Sequence, residues 1–478
     1  MRHCLIVCLA LIPEVATALQ TAPQRMEEAL ALLASDRRVE AESVLLEIAR
    51  EFPRYGPARL QLGRIYLEKE EWKEAERHLL VATQANLPRM SLAWYLLGRA
   101  YLGAGDDLQA QECLRQSILI TPDFIPPRLL LIEIAERTDD RWEALAQYRE
   151  VMQGAPELPD RAELMARMAL LARSMNALDL AECTVREAIQ DQPADGSLRH
   201  LLAVILKDAG RVDEALAACQ EAIDRGFREA PVYVTLGDLY YEKMLLSESI
   251  AALGKAIELD PGAAESVASF ALSSLTTEDY ALLRQILEKH VRAHPDNPNT
   301  LYSLGVMHLR DNALEEAKAA LLHLRTLEPN HSQVHYNLSL VYTREGNVTD
   351  AALVMDRFRE LKAEEDAEWE RRNVALARRR EARELESRGE ARAALGIYMH
   401  FVDEGTTETS DLLALGRLSA QAGEHEQALA WFERALQVEP YNKTGLEGMA
   451  DAAAVLQRKV LSQKCRHRLE LLRSPCSS

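Results

Sequence analysis

Proline recurs along this 478-residue chain at a spacing close to 34, and each time it closes an apolar stretch of helical periodicity. Pro53, Pro122, Pro156, Pro193, Pro261, Pro295, Pro329 and Pro440 are these stops. Proline lacks a backbone N–H and crowds the preceding turn, so it ends a helix rather than continuing it. Placing the proline at position 32 of each unit gives starts at residues 22, 56, 91, 125, 162, 196, 230, 264, 298, 332, 375, 409 and 443. A unit this short cannot bury its own apolar face, so it must stack on its neighbours in an array.

The unit itself reads as two helices. Apolar residues make up 48% of the chain while aromatics are only 5%, and Ala, Leu, Glu and Arg abound, which favours an all-α class. Position 8 holds Ala29, Gly63, Gly98, Ala169, Ala203, Gly237, Ala271, Gly305, Ser339, Ala382, Gly416 and Ala450, with Ile132 alone large. Position 20 is equally small, from Ala41 and Ala75 through Ser249 to Ala428 and Ser462, with Leu283 alone large. Small residues at these two places let paired helices approach closely, while larger ones at positions 7, 11 and 24 fill the remaining space.

Trp94, Leu97-Gly98, Tyr101, Ala110, Leu114 and Pro122 in one window resemble the tetratricopeptide repeat (TPR) signature of Trp, Leu-Gly, Tyr, Ala, Phe, Ala and Pro. Leu236-Gly237, Tyr240, Leu253, Ala256 and Pro261 repeat the pattern, as do Leu415-Gly416, Ala428, Phe432, Ala435 and Pro440. The resemblance runs from about Ala22 to the C-terminus. It implies a right-handed superhelical solenoid of helix pairs, with a concave groove lined by the first helix of each repeat.

Two departures from the period shape the domain reading. Three extra residues near Glu157-Leu158-Pro159-Asp160 lengthen a loop. Nine extra residues separate the windows starting at 332 and 375, and Glu364 to Glu390 is almost continuously charged helix former, so one long helix is expected to replace a turn. The expected organisation is a signal peptide at 1–18, an N-terminal array at 22–362, a long charged connector at 363–392, and C-terminal repeats with capping helices at 393–478.

The N-terminus carries an export signal in outline. Arg2 supplies positive charge, Leu5 to Ile12 an apolar stretch, and Ala16-Thr17-Ala18 a small-x-small site, so cleavage after Ala18 and a periplasmic or secreted location are expected, with a cytoplasmic chain as the alternative. No stretch approaches the roughly 20 apolar residues of a membrane span. Cys113, Cys183 and Cys219 fall at or beside packing positions, where buried thiols are expected. Cys465 and Cys476 are near enough in sequence to pair, but spacing does not decide it.

Function is expected to be binding. The net charge of −19 opposes phosphate contacts, so nucleic acid is not expected as a partner. Arg378-Arg379-Arg380 is the one basic run, and with Glu381, Glu384 and Glu386 following it reads as a solvated helix face. On a helix of period 3.6, positions 2, 5, 9 and 12 lie opposite the packing stripe. They put Arg64, Tyr95, Arg99, Tyr302, Tyr336 and Arg417 in the groove, with Arg310 and Arg344 beside them at position 13. Exposed Tyr and Arg often anchor interfaces. Arg64 and Arg99, one repeat apart, suit a carboxylate ligand. The co-chaperone carboxylate clamp, Lys at 5 and Asn at 9, is not matched, because Leu60 and Arg64 stand there.

No phosphate loop, Gly-x-Ser-x-Gly elbow or His-Glu-x-x-His is present, so no catalytic site, cofactor or metal is expected. His290 and His294 share a helix face, but His290 occupies packing position 27 and no third ligand is in register. The expectation is a non-catalytic scaffold for proteins or peptides. The alternative is a regulatory or substrate-recognition subunit of a separate envelope enzyme or polymer-export machine. Self-association through the charged helix is a third class, against which stands the lack of a sustained apolar heptad.

Overall fold

The computed structural model describes residues 21–260 and 277–474, and the expected signal peptide, Ala271 and Cys476 lie outside them. Among the described residues there are 24 α-helices and no strand. They fall into two compact units, one ending at Arg161 and the other beginning at Ala162.

Unit 1 contains α1 (Ala22–Ala34), α2 (Arg38–Glu51), α3 (Gly56–Glu68), α4 (Trp72–Thr83), α5 (Met90–Gly103), α6 (Asp107–Ile120), α7 (Ile125–Arg137) and α8 (Arg141–Gly154). Unit 2 follows with α9 (Arg161–Ser174), α10 (Leu178–Asp191), α11 (Gly196–Asp208), α12 (Val212–Asp224), α13 (Ala230–Glu242) and α14 (Leu246–Leu259). It continues with α15 (Thr277–Ala293), α16 (Pro298–Arg310), α17 (Leu314–Leu327), α18 (Ser332–Arg344) and α19 (Val348–Ser387). It ends with α20 (Ala391–Asp403), α21 (Thr409–Gln421), α22 (His425–Val438), α23 (Lys443–Val455) and α24 (Lys459–Leu471). Apart from the window at 375, which falls inside α19, the described first helices begin at or within one residue of the window starts, as at Gly56, Ile125, Gly196, Pro298, Ser332, Thr409 and Lys443.

Within each pair, position 8 is where the helices meet, and its nearest neighbour is the position-24 side chain. A Cβ added at Gly98 would lie 2.9 Å from Leu114, at Gly305 2.8 Å from Leu321, and at Gly416 2.6 Å from Phe432. Gly63 and Gly237 meet Leu79 and Leu253 more closely still. Position 20 reaches the same place from the backbone side: Ser249 Oγ donates to the Gly237 carbonyl at 2.6 Å, and Ser462 Oγ to that of Ala450 at 2.9 Å. Glycine thus faces a large position-24 residue. Elsewhere position 8 is alanine whether position 24 is small, as at Val185 and Cys219, or large, as at Leu45 and Tyr398.

A second recurrence was not drawn from the sequence. Position 15 has a left-handed backbone in twelve windows: Asp36, Glu70, Gly105, Asp139, Asn176, Gly210, Met244, Asn312, Gly346, Gly389, Gly423 and Gln457. The next residue's N–H closes back on the position-11 carbonyl, as from Arg37 to Leu32 and from Glu71 to Tyr66, both at 2.9 Å. This is a Schellman closure of the first helix, and it reverses the chain in about three residues.

Successive repeats are tied by side chains that reach across the joint between them. Arg59 donates to the Pro53 carbonyl at 3.1 Å and His335 bonds that of Pro329 at 2.8 Å, so position 4 satisfies the end of the preceding repeat. Exposed pairs such as Arg38–Glu68 at 2.6 Å and Lys243–Asp213 at 2.6 Å repeat the theme, each adding between about 0 and 1 kcal/mol. Cys113, Cys183, Cys219 and Cys465 are buried; Cys113, Cys219 and Cys465 are free thiols, whose ionisation burial pushes upward.

The expected long helix exists. It is continuous with the second helix of the preceding repeat, so α19 runs 40 residues and stops at Ser387, with Gly389 left-handed after it. The solvated-face reading of Arg378-Arg379-Arg380 is corrected at its centre: Arg379 is 4% exposed. Its Nε donates to both Asp411 oxygens at 3.0 Å, its Nη2 to Asp411 at 2.9 Å and to the Thr406 carbonyl at 2.8 Å, and its guanidinium lies 4.4 Å over the Phe401 ring. Asp411 also accepts from the Glu408 N–H at 2.9 Å as a capping residue of α21. Position 5 of one repeat is thereby pinned to position 3 of the next.

His78 sits in a comparable but cationic environment. It is 1% exposed, stacks on Tyr66 at 5.4 Å, and faces the Arg59 Nη1 across 3.0 Å. Arginine only donates, so His78 Nδ1 accepts and the ring is neutral. Burial, then Arg59 and Arg77, push its pKa down to about 4.

Gly63→Ala should lower the denaturation midpoint, with about 1–3 kcal/mol of overpacking offset by about 1 kcal/mol of helix propensity, and Leu79→Val in the same chain should recover part of the loss. Asp411→Ala, which leaves the buried Arg379 with the exposed Glu408 carboxylate at 2.8 Å as its one remaining ion pair, should cost up to about 3–5 kcal/mol, read as a shifted unfolding transition that Arg379→Met together with Asp411→Leu largely reverses. The folded His78 pKa lies below its ordinary 6.5, so the unfolded chain binds the proton first. Its contribution is present above pH 6.5 and is lost as pH falls toward 4, about 2 kcal/mol between pH 7 and 5. Denaturant titrations at the two pH values should show this loss shrink in His78→Gln.

Candidate partner-binding surface

The exposed side of the first helices carries the residues assigned to the groove, and the structure sorts them into two kinds. Arg64 on α3 and Arg99 on α5 are exposed, and neither has a carboxylate partner among the described residues. Arg64 donates to Gln61 Oε1 of its own helix at 3.3 Å. Arg99 lies 5.9 Å from the Tyr95 ring, which meets the Phe124 ring at the close of the same window edge-on, 5.4 Å between centroids. Tyr95 and Arg99 therefore form one amphipathic patch, with Arg64 one repeat earlier. Tyr336 on α18 is also exposed, its ring 5.3 Å from that of Phe358.

The remaining residues are engaged with neighbouring repeats. Tyr302 stacks on His331 at 5.2 Å and accepts from Asn337 Nδ2 at 3.4 Å. Arg344 donates to the Leu309 carbonyl at 2.6 Å and to Asn312 Oδ1 at 3.4 Å, closing the end of α16. Arg310, beside it in the register, stands 4.7 Å over the Tyr280 ring. Arg417 donates to Glu386, whose other oxygen accepts from Tyr398 Oη at 2.8 Å.

Arg417 nonetheless lines an apolar cleft on this face, a space of about 400 Å³ between α21 and α23. Leu413, Arg417 and Ala420 form one wall from positions 5, 9 and 12; Glu447, Gly448 and Asp451 form the other. Phe432 is the floor. Its ring packs so closely against Gly416 and Gly448 that a Cβ on either would enter the space the ring fills, and Gly448 itself lines the cleft. Glu447 and Asp451 are exposed carboxylates one turn apart, and His425 at the rim has a buried Nδ1 without a hydrogen-bond partner. Sequence reasoning passed over Leu413, Glu447 and Asp451, although all three stand at positions 5 and 9, where Arg64, Tyr95 and Arg99 were picked.

His290 is buried, as position 27 requires, with Nδ1 2.8 Å from Thr300 Oγ1. Among the described residues no three His, Cys, Asp or Glu side chains converge as a metal site would need, and no helix is long and apolar enough to cross a membrane.

Three family profiles, each described as tetratricopeptide repeat, match residues 60–115, 230–262 and 412–445. No curated protein matches the sequence significantly. Among solved structures, the chain is similar to YrrB, "a TPR protein with an unusual peptide-binding site", at 18% identity over 37% of this chain and 92% of that one, TM-score 0.34. It is also similar to Naa15/Naa10 bound to HypK-THB, at 11% identity over 94% of each chain, TM-score 0.39. A third is the hetero-tetramer of Cut9 and Hcn1 from APC/C, at 11% identity over 92% of this chain and 91% of that one, TM-score 0.30. With the repeat read in sequence, the helix pairs in the structure and the profiles in agreement, the chain is a tetratricopeptide repeat protein, built as a protein-interaction scaffold.

Proposed function

We propose that this chain is a non-catalytic, exported scaffold that holds an extended peptide or a partner helix along its first-helix face. The observation that carries the reading is the Phe432-floored cleft, which lies at positions 5, 9 and 12 of consecutive repeats. An apolar seat of this size takes one large side chain, and the carboxylates of Glu447 and Asp451 favour a cation beside it. Tyr95 and Arg99, with Arg64, form a second contact of opposite character, suited to a carboxylate. A preformed face loses little freedom on binding, which favours reversible capture.

Export rests on the N-terminal segment, whose charge, apolar run and Ala16-Thr17-Ala18 site match a cleaved leader. N-terminal sequencing of the protein from cells should find Leu19 first, and an intact Met1 on the cytosolic protein would refute export. Binding is tested by selecting peptides from a displayed library against the parent and against Ala420→Trp, which fills the cleft from a half-buried position. The parent should enrich peptides with an aromatic or aliphatic residue next to Lys or Arg, and Ala420→Trp should lose that enrichment at least about tenfold with unchanged circular dichroism. Equal enrichment by both proteins would remove the cleft from the function.

A further inference from the structure

The middle of α19 is a helix without a protein partner. Every residue from 363 to 374 is exposed, about three turns of backbone held only by its ends, where Leu361 and Arg379 are buried. Local pairs such as Arg372–Glu368 support it, but they leave Trp369 69% exposed and Leu376 47% exposed on a stretch otherwise rich in charge. Large apolar groups standing in water on one helix face call for a covering surface.

The charge on this stretch is arranged in two opposite blocks. Residues 364–370 contain five carboxylates and no cation, and residues 371–380 contain five arginines and no carboxylate. Such a helix is complementary to itself when reversed. Glu365, Trp369, Leu376 and Arg380 are spaced by 4, 7 and 4 residues, so they share one face, and the spacing reads the same in both directions. All four are exposed, and the face is offset around the helix from the stripe carrying Leu361, Arg379 and Ala382 into the repeats.

We infer that two copies of this chain associate through α19 in an antiparallel, two-fold symmetric contact, with Glu365 of each copy opposite Arg380 of the other and Trp369 of each against Leu376 of the other. The symmetry makes each contact occur twice, as an isologous interface requires. The lack of a sustained heptad sets the extent: one apolar layer on either side of the axis, bracketed by ion pairs, gives a small, reversible and salt-sensitive dimer rather than a long coiled coil. This contact is independent of the first-helix cleft, and a dimer would present two such clefts.

Sedimentation equilibrium of the full chain tests it. The parent should pass from monomer to dimer across the micromolar range, and Trp369→Ala should weaken association at least about tenfold with unchanged helicity. Glu365→Arg and Arg380→Glu should each weaken it as well. Their combination in one chain should restore it, and mixing the two single variants should yield a heterodimer in which both ion pairs are present. A parent that stays monomeric overturns the proposal, and so does a dimer indifferent to Trp369→Ala. Single reversals that weaken association without restoration in the double variant would also overturn the antiparallel pairing.

Discussion

The close approach of the two helices in each repeat is the constraint from which the rest of the architecture follows. Leu79, Leu114, Leu253, Leu321 and Phe432 occupy space that a side chain at position 8 of the facing helix would need. Helices that close present a narrow pair to the next repeat, and a narrow pair stacks at a fixed offset. The same closeness governs polar atoms. Ser249 and Ser462 at position 20 are buried hydroxyls, tolerable because each finds the position-8 carbonyl within 3 Å. A hydroxyl at that depth without an acceptor would cost roughly 1–3 kcal/mol.

Repeat stacking then works through nearest neighbours. The left-handed residue at position 15 ends the first helix, and position 4 of the following repeat binds the carbonyl where the second helix stops. Each joint is thus satisfied by the adjoining repeat, so stability is distributed as a series of local interfaces rather than concentrated in a centre. Arg379 with Asp411 is the exception in strength, because the two charges are withdrawn from water and each needs the other. It occurs where α19 rejoins the repeats after its exposed middle.

Helix starts were legible because the period locates them: Gly56, Gly196, Pro298 and Lys443 follow from counting. The position-15 turn was also present in the sequence, as Gly105, Gly210, Gly346, Asn176 and Asn312, but Glu70, Met244 and Gln457 obscure it by accepting a backbone that side chains disfavour. Charged partners were misjudged for a single reason. Arg379 looked solvated because reasoning about charge stayed within one helix, whereas its partner Asp411 stands 32 residues on. Arg417 and Glu386 are 31 apart, and Arg344 bonds the carbonyl of Leu309, 35 earlier. In a repeat array, the residue one period away is the spatial neighbour, and sequence-local patterns of charge miss it. The cleft over Phe432 escaped notice for the opposite reason: part of its wall is Gly448, which has no side chain to mark a site.

The two surfaces identified differ in how they are built, and that difference assigns them different roles. The cleft between α21 and α23 is enclosed by repeats that pack whether or not anything occupies it, so its geometry is prepared in advance and suits selection of a side chain. The exposed length of α19 has no surrounding walls. Its specificity resides in the order of charges along one helix, and order of charge selects orientation better than it selects identity. A reversed copy of the same helix satisfies that order throughout, with acid opposite base on both sides of Trp369. A period-breaking insertion in an otherwise strict array therefore adds a contact that the repeats themselves do not provide: it frees a helical face from stacking.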